Sequence, residues 1–192
     1  IRQETLGIAD LLGWYFRTQQ AWTSNGSYLG ASDLMYRFSN VIKEAGGYTP
    51  ANLDEAKGVL RAFTHLYVPN ADALFLTNGR TNNLKAFKKA VVEPANKEVL
   101  NWLQQTYGIS PDLTGDILIG DDKDNSSTSG EYQLNGRTKN DILLGEAGID
   151  TLTGGRGDDL LLGGAGQDLY VYRIGDGNDR IIDADGGLIR ID

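Results

Sequence analysis

Residues 136–171 consist of four consecutive nonapeptides with the same spacing of glycine and aspartate. Aligned on the aspartate at the sixth position, they are GRTKNDILL, GEAGIDTLT, GGRGDDLLL and GGAGQDLYV. The aspartates are Asp141, Asp150, Asp159 and Asp168. A fixed short period is typical of a repeat architecture in which each repeat forms one structural unit.

Each nonapeptide divides into a six-residue turn and a three-residue strand. Glycine permits the positive φ angles of a tight turn and lets backbone carbonyls converge on a cation. The aspartate adds a carboxylate, and Ca²⁺ prefers six to eight oxygen ligands of these two kinds. The residue at the eighth position is predicted to point inward, which gives a core of Leu143, Leu152, Leu161 and Tyr170.

This pattern, G-G-x-G-x-D-x-U-x, resembles the hemolysin-type calcium-binding repeat of the RTX (repeats-in-toxin) family. The resemblance implies a short right-handed parallel β-roll in which each turn stacks on the next turn but one, with Ca²⁺ between stacked turns. It pairs Asp141 with Asp159 and Asp150 with Asp168. The implied metal-binding residues are these four aspartates with Gly145, Ala147, Gly148, Gly154, Gly155, Arg156, Gly157, Gly163, Gly164, Ala165 and Gly166.

The first two repeats depart from the pattern. Arg137 and Lys139 stand where the first turn needs glycine, and Glu146 does so in the second turn. A side chain at these positions makes a positive φ unfavourable. The Asp141/Asp159 site is therefore expected to be partial, whereas the third and fourth turns fit the pattern fully and Asp150/Asp168 is the safer pair.

The segments flanking the repeats carry weaker signals. Residues 114–120 resemble the end of one more repeat, but an acidic run (121–125) and a Ser/Thr-rich insertion interrupt the period. An EF-hand loop starting at Asp122 is excluded, because Ser127 replaces its glycine and Gln133 its final glutamate. Downstream, residues 175–179 resemble the turn that closes RTX rolls. Two strand-like pieces follow, 180–183 and 188–191, as the cap of a solenoid.

Positions seven and nine are predicted to face outward from the roll. In the first and third repeats they carry Ile142, Leu144, Leu160 and Leu162, which form an aliphatic patch on one sheet. We expect this sheet to pack on the helical half of the chain or on a neighbouring molecule. The alternative is a tolerated surface patch.

Charge divides the chain near Ser110–Pro111. Residues 1–110 hold 11 Lys/Arg against 9 Asp/Glu, whereas residues 111–192 hold 7 against 17 and 16 of the 25 glycines. An acidic, glycine-rich segment repels itself and offers little apolar surface, so binding of divalent cations would supply folding free energy. The acidity argues against nucleic-acid binding. No apolar run approaches the length of a transmembrane segment, and the chain has no cysteine.

Residues 1–110 have helical spacing of apolar residues. A first helix carries Ile8, Leu11, Leu12, Tyr15 and Trp22 on one face. A second is capped by Ser32, buries Leu34, Met35, Phe38, Val41, Ile42 and Ala45, and ends at Gly46–Gly47. A third begins at Thr49–Pro50 or at Asn52, which has capping-box spacing to Glu55. It buries Leu53, Ala56, Leu60, Phe63 and Tyr67, and stops at Pro69.

A loop is predicted over residues 70–80, with an extended piece at Leu74–Leu76 and a turn at Asn78–Gly79. Two more helices, 82–92 and 95–107, are predicted to be divided by Pro94 and to finish at Gly108. The sequence therefore predicts two domains: an α-helical domain over 1–110 and a calcium-binding β-roll over 111–192.

The helical half carries few candidate functional residues. His65 is the single histidine, and we interpret it as structural or exposed, with a general base in a cleft as the alternative. Trp14, Trp22 and Trp102 are interpreted as core rather than a sugar-stacking platform. The Lys85/Lys88/Lys89 cluster is interpreted as a solvated face, or else as a surface that docks the acidic roll or another anionic surface.

The sequence lacks the HExxH pattern of zinc proteases and the GxSxG pattern of lipases, which favours a non-enzymatic fragment. The RTX resemblance implies a calcium-binding region of a larger bacterial protein, exported by type I secretion to the medium or the cell surface. That protein would be an adhesin or toxin, whose target is a cell-surface glycan, a protein or a membrane. The alternative is a secreted hydrolase (lipase, phospholipase or protease) whose catalytic site lies mainly outside these residues.

Overall fold

The computed structural model describes residues 31–67, 78–125 and 134–192. The chain divides into two compact units, Ile1–Ile109 and Ser110–Asp192, which we call the helical unit and the roll. Several predictions lie outside the described residues: the first helix with Trp14 and Trp22, the helix stop at Pro69, and the loop up to residue 77 with its extended piece Leu74–Leu76. The predicted burial of Leu34, Met35 and Tyr67 also concerns side chains that the structure does not describe.

The described part of the helical unit contains four α-helices and one π-helical turn. They are α1 (Ala31–Glu44), α2 (Leu53–Tyr67), α3 (Asn78–Phe87), the π turn (Lys88–Val92) and α4 (Glu93–Tyr107). Nine apolar side chains are fully buried: Ala56, Val59, Leu60, Phe63, Phe87, Val91, Ala95, Val99 and Leu103. The rings of Phe63 and Phe87 stack with their centroids 6.2 Å apart. The predicted stripe of α2 is confirmed at Ala56, Leu60 and Phe63, whereas Leu53 is half-buried.

The ends of α1 and α2 follow the predicted capping chemistry in part. Gly46 and Gly47 have φ angles of 95° and 99°, and the Gly47 N–H donates to the Ile42 carbonyl. The Glu55 N–H donates to Asn52 Oδ1 at 2.9 Å, which confirms Asn52 as the N-cap of α2. The Glu55 carboxylate accepts from the Ala51 N–H and not from Asn52, so the capping box is shifted by one residue.

Three predictions for α1 are wrong. The helix already includes Ala31, so Ser32 lies in its first turn and not at a cap. Val41 is 61% exposed and Ala45 is also exposed, whereas Ile42 is buried as predicted. Position 41 is one residue, or about 100° of helical rotation, from the buried Ile42, and only the latter faces the core.

The segment from Asn78 to Tyr107 is one helical run rather than a turn and two separate helices. Asn78 and Gly79 are its first residues, so the predicted turn there is wrong. Pro94 does not divide the run. It lies at the start of α4, where the π turn changes the bonding register and the Glu93 N–H donates to the Lys88 carbonyl. A proline is tolerated at a helix start because its missing N–H leaves no bond unmade. The run ends at Gly108, as predicted, in the left-handed conformation with φ 67°.

The roll consists of two four-stranded parallel sheets, with successive strands in opposite sheets. Their orders are β1-β3-β5-β7 and β2-β4-β6-β8. The strands are β1 (Ile117–Ile119), β2 (Leu134–Thr138), β3 (Ile142–Ala147), β4 (Thr151–Arg156), β5 (Leu160–Ala165), β6 (Leu169–Tyr172), β7 (Arg180–Ile182) and β8 (Leu188–Ile191). A helical region followed by a parallel β-solenoid confirms the predicted fold class.

The eighth positions form the interior of the roll. Leu143 and Leu152 are fully buried, Leu161 and Tyr170 are 2% exposed, and Leu118 and Leu134 extend the two rows upstream. This confirms the predicted core. The four aliphatic residues predicted to face outward are also buried, with exposed fractions of 1, 2, 3 and 6% for Ile142, Leu144, Leu160 and Leu162. That this sheet packs on the helical half or on another molecule stays a prediction.

The two strand-like pieces downstream of the repeats each add a strand to one sheet. β7 pairs with β5, and β8 pairs with β6. The last strand leaves Leu188, Ile189 and Ile191 exposed by 72, 64 and 70%. These strands therefore continue the regular ladder instead of folding over its end.

Candidate metal centre

The turns between strands repeat one backbone conformation. In the third and fourth repeats the second and fourth positions are glycines with positive φ, such as Gly155 at 93° and Gly166 at 134°. The non-glycine residues at these positions adopt the same conformation, with φ of 79° for Arg137, 82° for Lys139 and 81° for Glu146. The expected loss of turn geometry did not occur. Instead, each side chain is held in a region that disfavours it by about 1–2 kcal/mol.

Stacked turns form two columns, one along each edge of the roll. The first column contains turns 111–116, 136–141, 154–159 and 174–179, and the second contains turns 120–125, 145–150, 163–168 and 183–187. Hydrogen bonds between successive turns define the stacking, for example from the Gly148 N–H to the Ala165 carbonyl and from the Gly157 N–H to the Asp176 carbonyl. Each turn thus stacks on the next turn but one, as predicted.

The structure brings together both predicted aspartate pairs. In the first column, the Asp141 N–H donates to Asp159 Oδ1 at 2.7 Å. In the second column, the Asp150 N–H donates to Asp168 Oδ1 at 2.9 Å. One carboxylate oxygen of each downstream aspartate therefore fixes the spacing between two turns.

The second carboxylate oxygens are buried without a hydrogen-bond partner among the described residues. This applies to Oδ2 of Asp150, Asp159 and Asp168, whose residues are 0, 2 and 1% exposed. A buried, unpaired anionic oxygen is strongly unfavourable, and buried charges in proteins are normally paired or bound to metal. The unpaired oxygens therefore fit a cation bound between the turns.

Glycine is required beside these oxygens for steric reasons. A Cβ at Gly145 would lie 2.5 Å from Asp150 Oδ2. A Cβ at Gly166 would collide with the carbonyl oxygen of Gly148 in the turn below. Carboxylates and backbone carbonyls thus approach each other across each gap between turns. These are the hard oxygen donors that Ca²⁺ takes.

Burial and mutual repulsion raise the pKa values of these carboxyls. Burial is the main cause that raises the pKa of Asp150 to about 7, with contributions from the charges of Asp168, Asp124 and Asp121 against a lowering hydrogen bond from Asn125. The pKa of Asp159 is raised to about 6, mainly by burial and also by Asp179, Asp176 and Asp158. Without a cation, burial therefore disfavours the charged form of both carboxyls.

Sequence reasoning missed the turn that ends at Asn125. Residues 120–125 stack on turn 145–150, where the Asn125 N–H donates to Asp150 Oδ1 at 2.7 Å and the Ile149 N–H to Asp124 Oδ1 at 2.8 Å. The acidic run is therefore a repeat turn with asparagine in the place of aspartate. A signal was present, since Asn125 lies nine residues after Asp116. The insertion after Asn125 delays β2 and hides the period.

The turn predicted to close the roll also joins a column. The Asp159 N–H donates to Asp179 Oδ1 at 3.1 Å, and the Asn178 N–H donates to Asp158 Oδ1 at 2.9 Å. The upstream segment does the same through the Asp116 N–H, which donates to Asp141 Oδ1. The ladder of turns therefore extends beyond the four regular repeats on both sides.

Within the described residues, no three His, Cys, Asp or Glu side chains converge in a way that could hold a metal by themselves. A cation in the roll would thus need backbone carbonyls as well as carboxylates. In the helical unit, His65 is half-buried on α2. Trp102 is also half-buried and not in the core, with Lys57 Nζ 4.5 Å from its ring centroid. Lys85 and Lys89 are exposed, whereas Lys88 is half-buried beside the Phe63 ring.

Comparison with known proteins gives one match. Residues 135–170 match the family model of the RTX calcium-binding nonapeptide repeat, in four copies. No curated protein and no solved structure matches the chain. In the described part of the chain, no helix is both long and apolar enough to cross a bilayer. The matched segment contains the four predicted aspartates. It also contains both pairs of stacked turns in which buried Oδ2 atoms lack a hydrogen-bond partner among the described residues. Residues 135–170 are therefore RTX calcium-binding nonapeptide repeats, which bind Ca²⁺ and typically belong to secreted proteins.

Proposed function

We propose that the roll is a calcium-dependent folding module of a secreted protein, and that Ca²⁺ is held between stacked turns at the Asp141/Asp159 and Asp150/Asp168 pairs. The observation that carries this proposal is the set of orphaned Oδ2 atoms on Asp150, Asp159 and Asp168. Each belongs to a carboxylate whose other oxygen already bonds the neighbouring turn. A cation in the gap between turns would neutralise them.

The remaining ligands of the proposed sites are backbone carbonyls of the same turns. In the second column they come from Gly145, Ala147, Gly148, Gly163, Gly164, Ala165 and Gly166. In the first column they come from Gly154, Gly155, Arg156 and Gly157, together with the turn at 136–141. When bound, the ion supplies positive charge to a segment that holds 17 acidic against 7 basic residues. Hydrogen bonds between stacked turns set the spacing of the proposed sites.

The physiological consequence is a folding switch. Extracellular calcium modules bind with Kd of about 10⁻⁴–10⁻³ M, so such a module is not loaded at the low free calcium of a cytosol. Self-repulsion keeps the unloaded segment from folding during export. Outside the cell, binding free energy becomes folding free energy, and the folded roll stabilises the adjacent helical domain.

Amide hydrogen exchange on the full 192-residue chain tests this proposal. We expect amides of β3–β6 to be protected in millimolar CaCl₂ and to exchange freely in chelator, while amides of α2 and α4 are protected in both and more strongly in calcium. MgCl₂ at the same concentration is the control, because Mg²⁺ demands a tighter octahedral site and keeps its waters. Equal protection of the strands in calcium and in chelator would contradict the proposal.

The role of the larger protein as an adhesin or toxin stays a prediction from the family resemblance. It predicts that the chain contributes to calcium-dependent binding of a cell-surface glycan, protein or membrane. Binding of the full chain to glycan arrays and to host cells, in calcium and in chelator, measures this. Hydrolysis of lipid, phospholipid or peptide substrates by the full chain would favour the secreted hydrolase instead.

A further inference from the structure

The second column of stacked turns contains one more unpaired carboxylate oxygen than its proposed site uses. In these pairs of stacked turns, the aspartate of the downstream turn accepts the hydrogen bond between the turns through Oδ1, and its Oδ2 is the unpaired atom. Asp159 and Asp168 in this way account for the two sites proposed above. Oδ2 of Asp150 remains, and Asp150 is the downstream aspartate of the pair formed by turns 120–125 and 145–150.

The upstream turn of this pair lies outside the matched repeats, which begin at residue 135. It has Asn125 where the repeat has aspartate. The Asn125 N–H donates to Asp150 Oδ1 at 2.7 Å, and Oδ2 is bonded to the same carbon, so this carboxylate lies where the two turns meet. Neither the repeat pattern nor the family match therefore assigns a cation to this gap, although a buried unpaired oxygen belongs to it.

Asp121 brings a second carboxylate to the turn that lacks the usual aspartate. The Asn125 side-chain amide donates to Asp121 Oδ1 at 3.0 Å, and the Lys123 N–H donates to the same oxygen at 3.2 Å. These bonds hold the half-buried Asp121 carboxylate in the turn and leave its Oδ2 for a further ligand. The turn as a whole carries three aspartates against one lysine.

The charges of the upstream turn act on Asp150. Asp124 Oδ1 accepts from the Ile149 N–H at 2.8 Å, which joins the two turns. Burial is the main cause that raises the pKa of Asp150, and the charges of Asp168, Asp124 and Asp121 add to it. Negative potential therefore reaches Asp150 from the upstream turn as well as from the downstream one. Such a potential attracts a cation.

Backbone carbonyls of both turns also approach this gap. A Cβ at Gly148 would lie 2.8 Å from the Lys123 carbonyl oxygen, and one at Gly120 would lie 2.5 Å from the Gly145 carbonyl oxygen. Oxygen ligands enclose Ca²⁺ at about 2.3–2.6 Å, so they need no surface that is accessible to water. The burial of Asp150 Oδ2 is therefore compatible with a bound ion, and its lack of a hydrogen-bond partner among the described residues favours one.

We propose that an additional Ca²⁺ binds between the turn at 120–125 and the next turn of its column. Its charged ligands are Oδ2 of Asp150 and the carboxylate of Asp121. The carbonyls of Lys123 and Gly145 supply further oxygen donors. This inference rests on the proposed function of the roll, and it extends the calcium-binding ladder upstream of the matched repeats.

Equilibrium dialysis of the full 192-residue chain against ⁴⁵Ca²⁺ tests the proposal. The variant is Asp121→Asn/Asp124→Asn, whose side-chain oxygens can still accept the hydrogen bonds of the turn. The control is Asp112→Asn/Asp122→Asn, which removes the same charge from two exposed residues of the roll that make none of the bonds between the two turns. We expect one bound ion of the variant to require about tenfold more free calcium than in the wild type, and the control to bind like the wild type.

The outcomes separate this inference from the proposed function. Identical binding curves for the variant and the control would overturn the additional site and leave the two sites of the folding module standing. A wild-type chain that bound no calcium would overturn both.

A crystal structure of the wild-type chain in CaCl₂ gives a second measurement that does not depend on a folded variant. We expect an anomalous calcium peak about 2.3–2.6 Å from Asp150 Oδ2, in the gap shared with turn 120–125. Calcium peaks at the Asp141/Asp159 and Asp150/Asp168 pairs without one in this gap would also overturn the additional site.

Discussion

The helical unit and the roll both bury continuous rows of apolar side chains, but they differ in the charges that they bury. The fully buried side chains of the helical unit, such as Phe63, Leu60 and Phe87, are apolar. The roll buries Asp150, Asp159 and Asp168 beside its leucines, each with an oxygen that lacks a partner among the described residues. Side-chain packing can stabilise the first unit by itself, whereas the second needs a counter-charge.

The largest effect that separates the units should come from the buried carboxylates of the second column. We expect Asp150→Asn and Asp168→Asn each to lower calcium affinity about ten- to a hundredfold, the loss of one charged ligand. Each should also stabilise the calcium-free roll, because a buried unpaired charge is removed. Isothermal titration gives the affinity, and hydrogen exchange of β4 and β6 in chelator gives the calcium-free stability.

Asp112→Asn is the control for these variants, since Asp112 is exposed in the roll and carries the same charge. It should change neither the calcium affinity nor the calcium-free stability appreciably, because salt screens a distant exposed charge. A loss of stability in chelator for Asp150→Asn would show that this carboxylate supports the calcium-free fold. The contrast drawn between the two units would then fail.

Acidification should stabilise the roll and leave the helical unit unchanged when calcium is absent. The pKa values of Asp150 and Asp159 are raised in the folded roll to about 7 and about 6. A carboxyl with a raised folded-state pKa favours folding below its ordinary value of about 4, and this contribution is lost as pH rises through the folded-state pKa. The calcium-free roll should therefore be more ordered at about pH 5 than at about pH 8.

Circular dichroism and hydrogen exchange in chelator at the two pH values measure this difference. Calcium affinity should change in the other direction, because protons compete with the cation for the same carboxylates. Protection of α2 and α4 should stay constant over this range. A calcium-free roll that loses order on acidification to about pH 5 would mean that these carboxyls are not destabilising in the fold.

The difference between the units also explains what could be predicted from the sequence. The roll is periodic, so the repeat predicted the inward eighth positions, and the family resemblance implied the Asp141/Asp159 and Asp150/Asp168 pairs. The turn at 120–125 was missed, because the residues between Asn125 and β2 break the period although the turns still stack. The insertion follows the turn in the sequence, and the hydrogen bonds of Asn125 with Asp150 and Thr151 are formed.

Prediction of the helical unit depended on local signals, which gave mixed results. The caps at Asn52, Gly46–Gly47 and Gly108 are confirmed, because their side-chain or φ requirements are local. Pro94 and Asn78–Gly79 were misinterpreted as breaks, because their effect depends on register and position within a helix.

A moderate effect is expected from the left-handed residues of the first repeat. Lys139 has φ 82° and is exposed, so Lys139→Gly removes strain while losing little packing. We expect it to stabilise the calcium-loaded roll by about 1 kcal/mol. Arg156→Gly is the matched control, because Arg156 is exposed but not at a positive φ, and it should destabilise by about 0.5–1 kcal/mol. Denaturant melts in calcium measure both, and equal signs for the two variants would rule out relief of strain.

The smallest effect should come from the shifted capping box of α2 and should not depend on calcium. The Glu55 carboxylate accepts from the exposed Ala51 N–H, so Glu55→Ala should destabilise the helical unit by about 0.5 kcal/mol. Asp54→Ala removes the same charge from the first turn, where it interacts with the helix dipole alone, and should have a smaller effect. Exchange protection of α2 measures both variants. If the loss for Glu55→Ala doubled in chelator, the cap and the calcium-loaded roll would not act independently on the stability of α2.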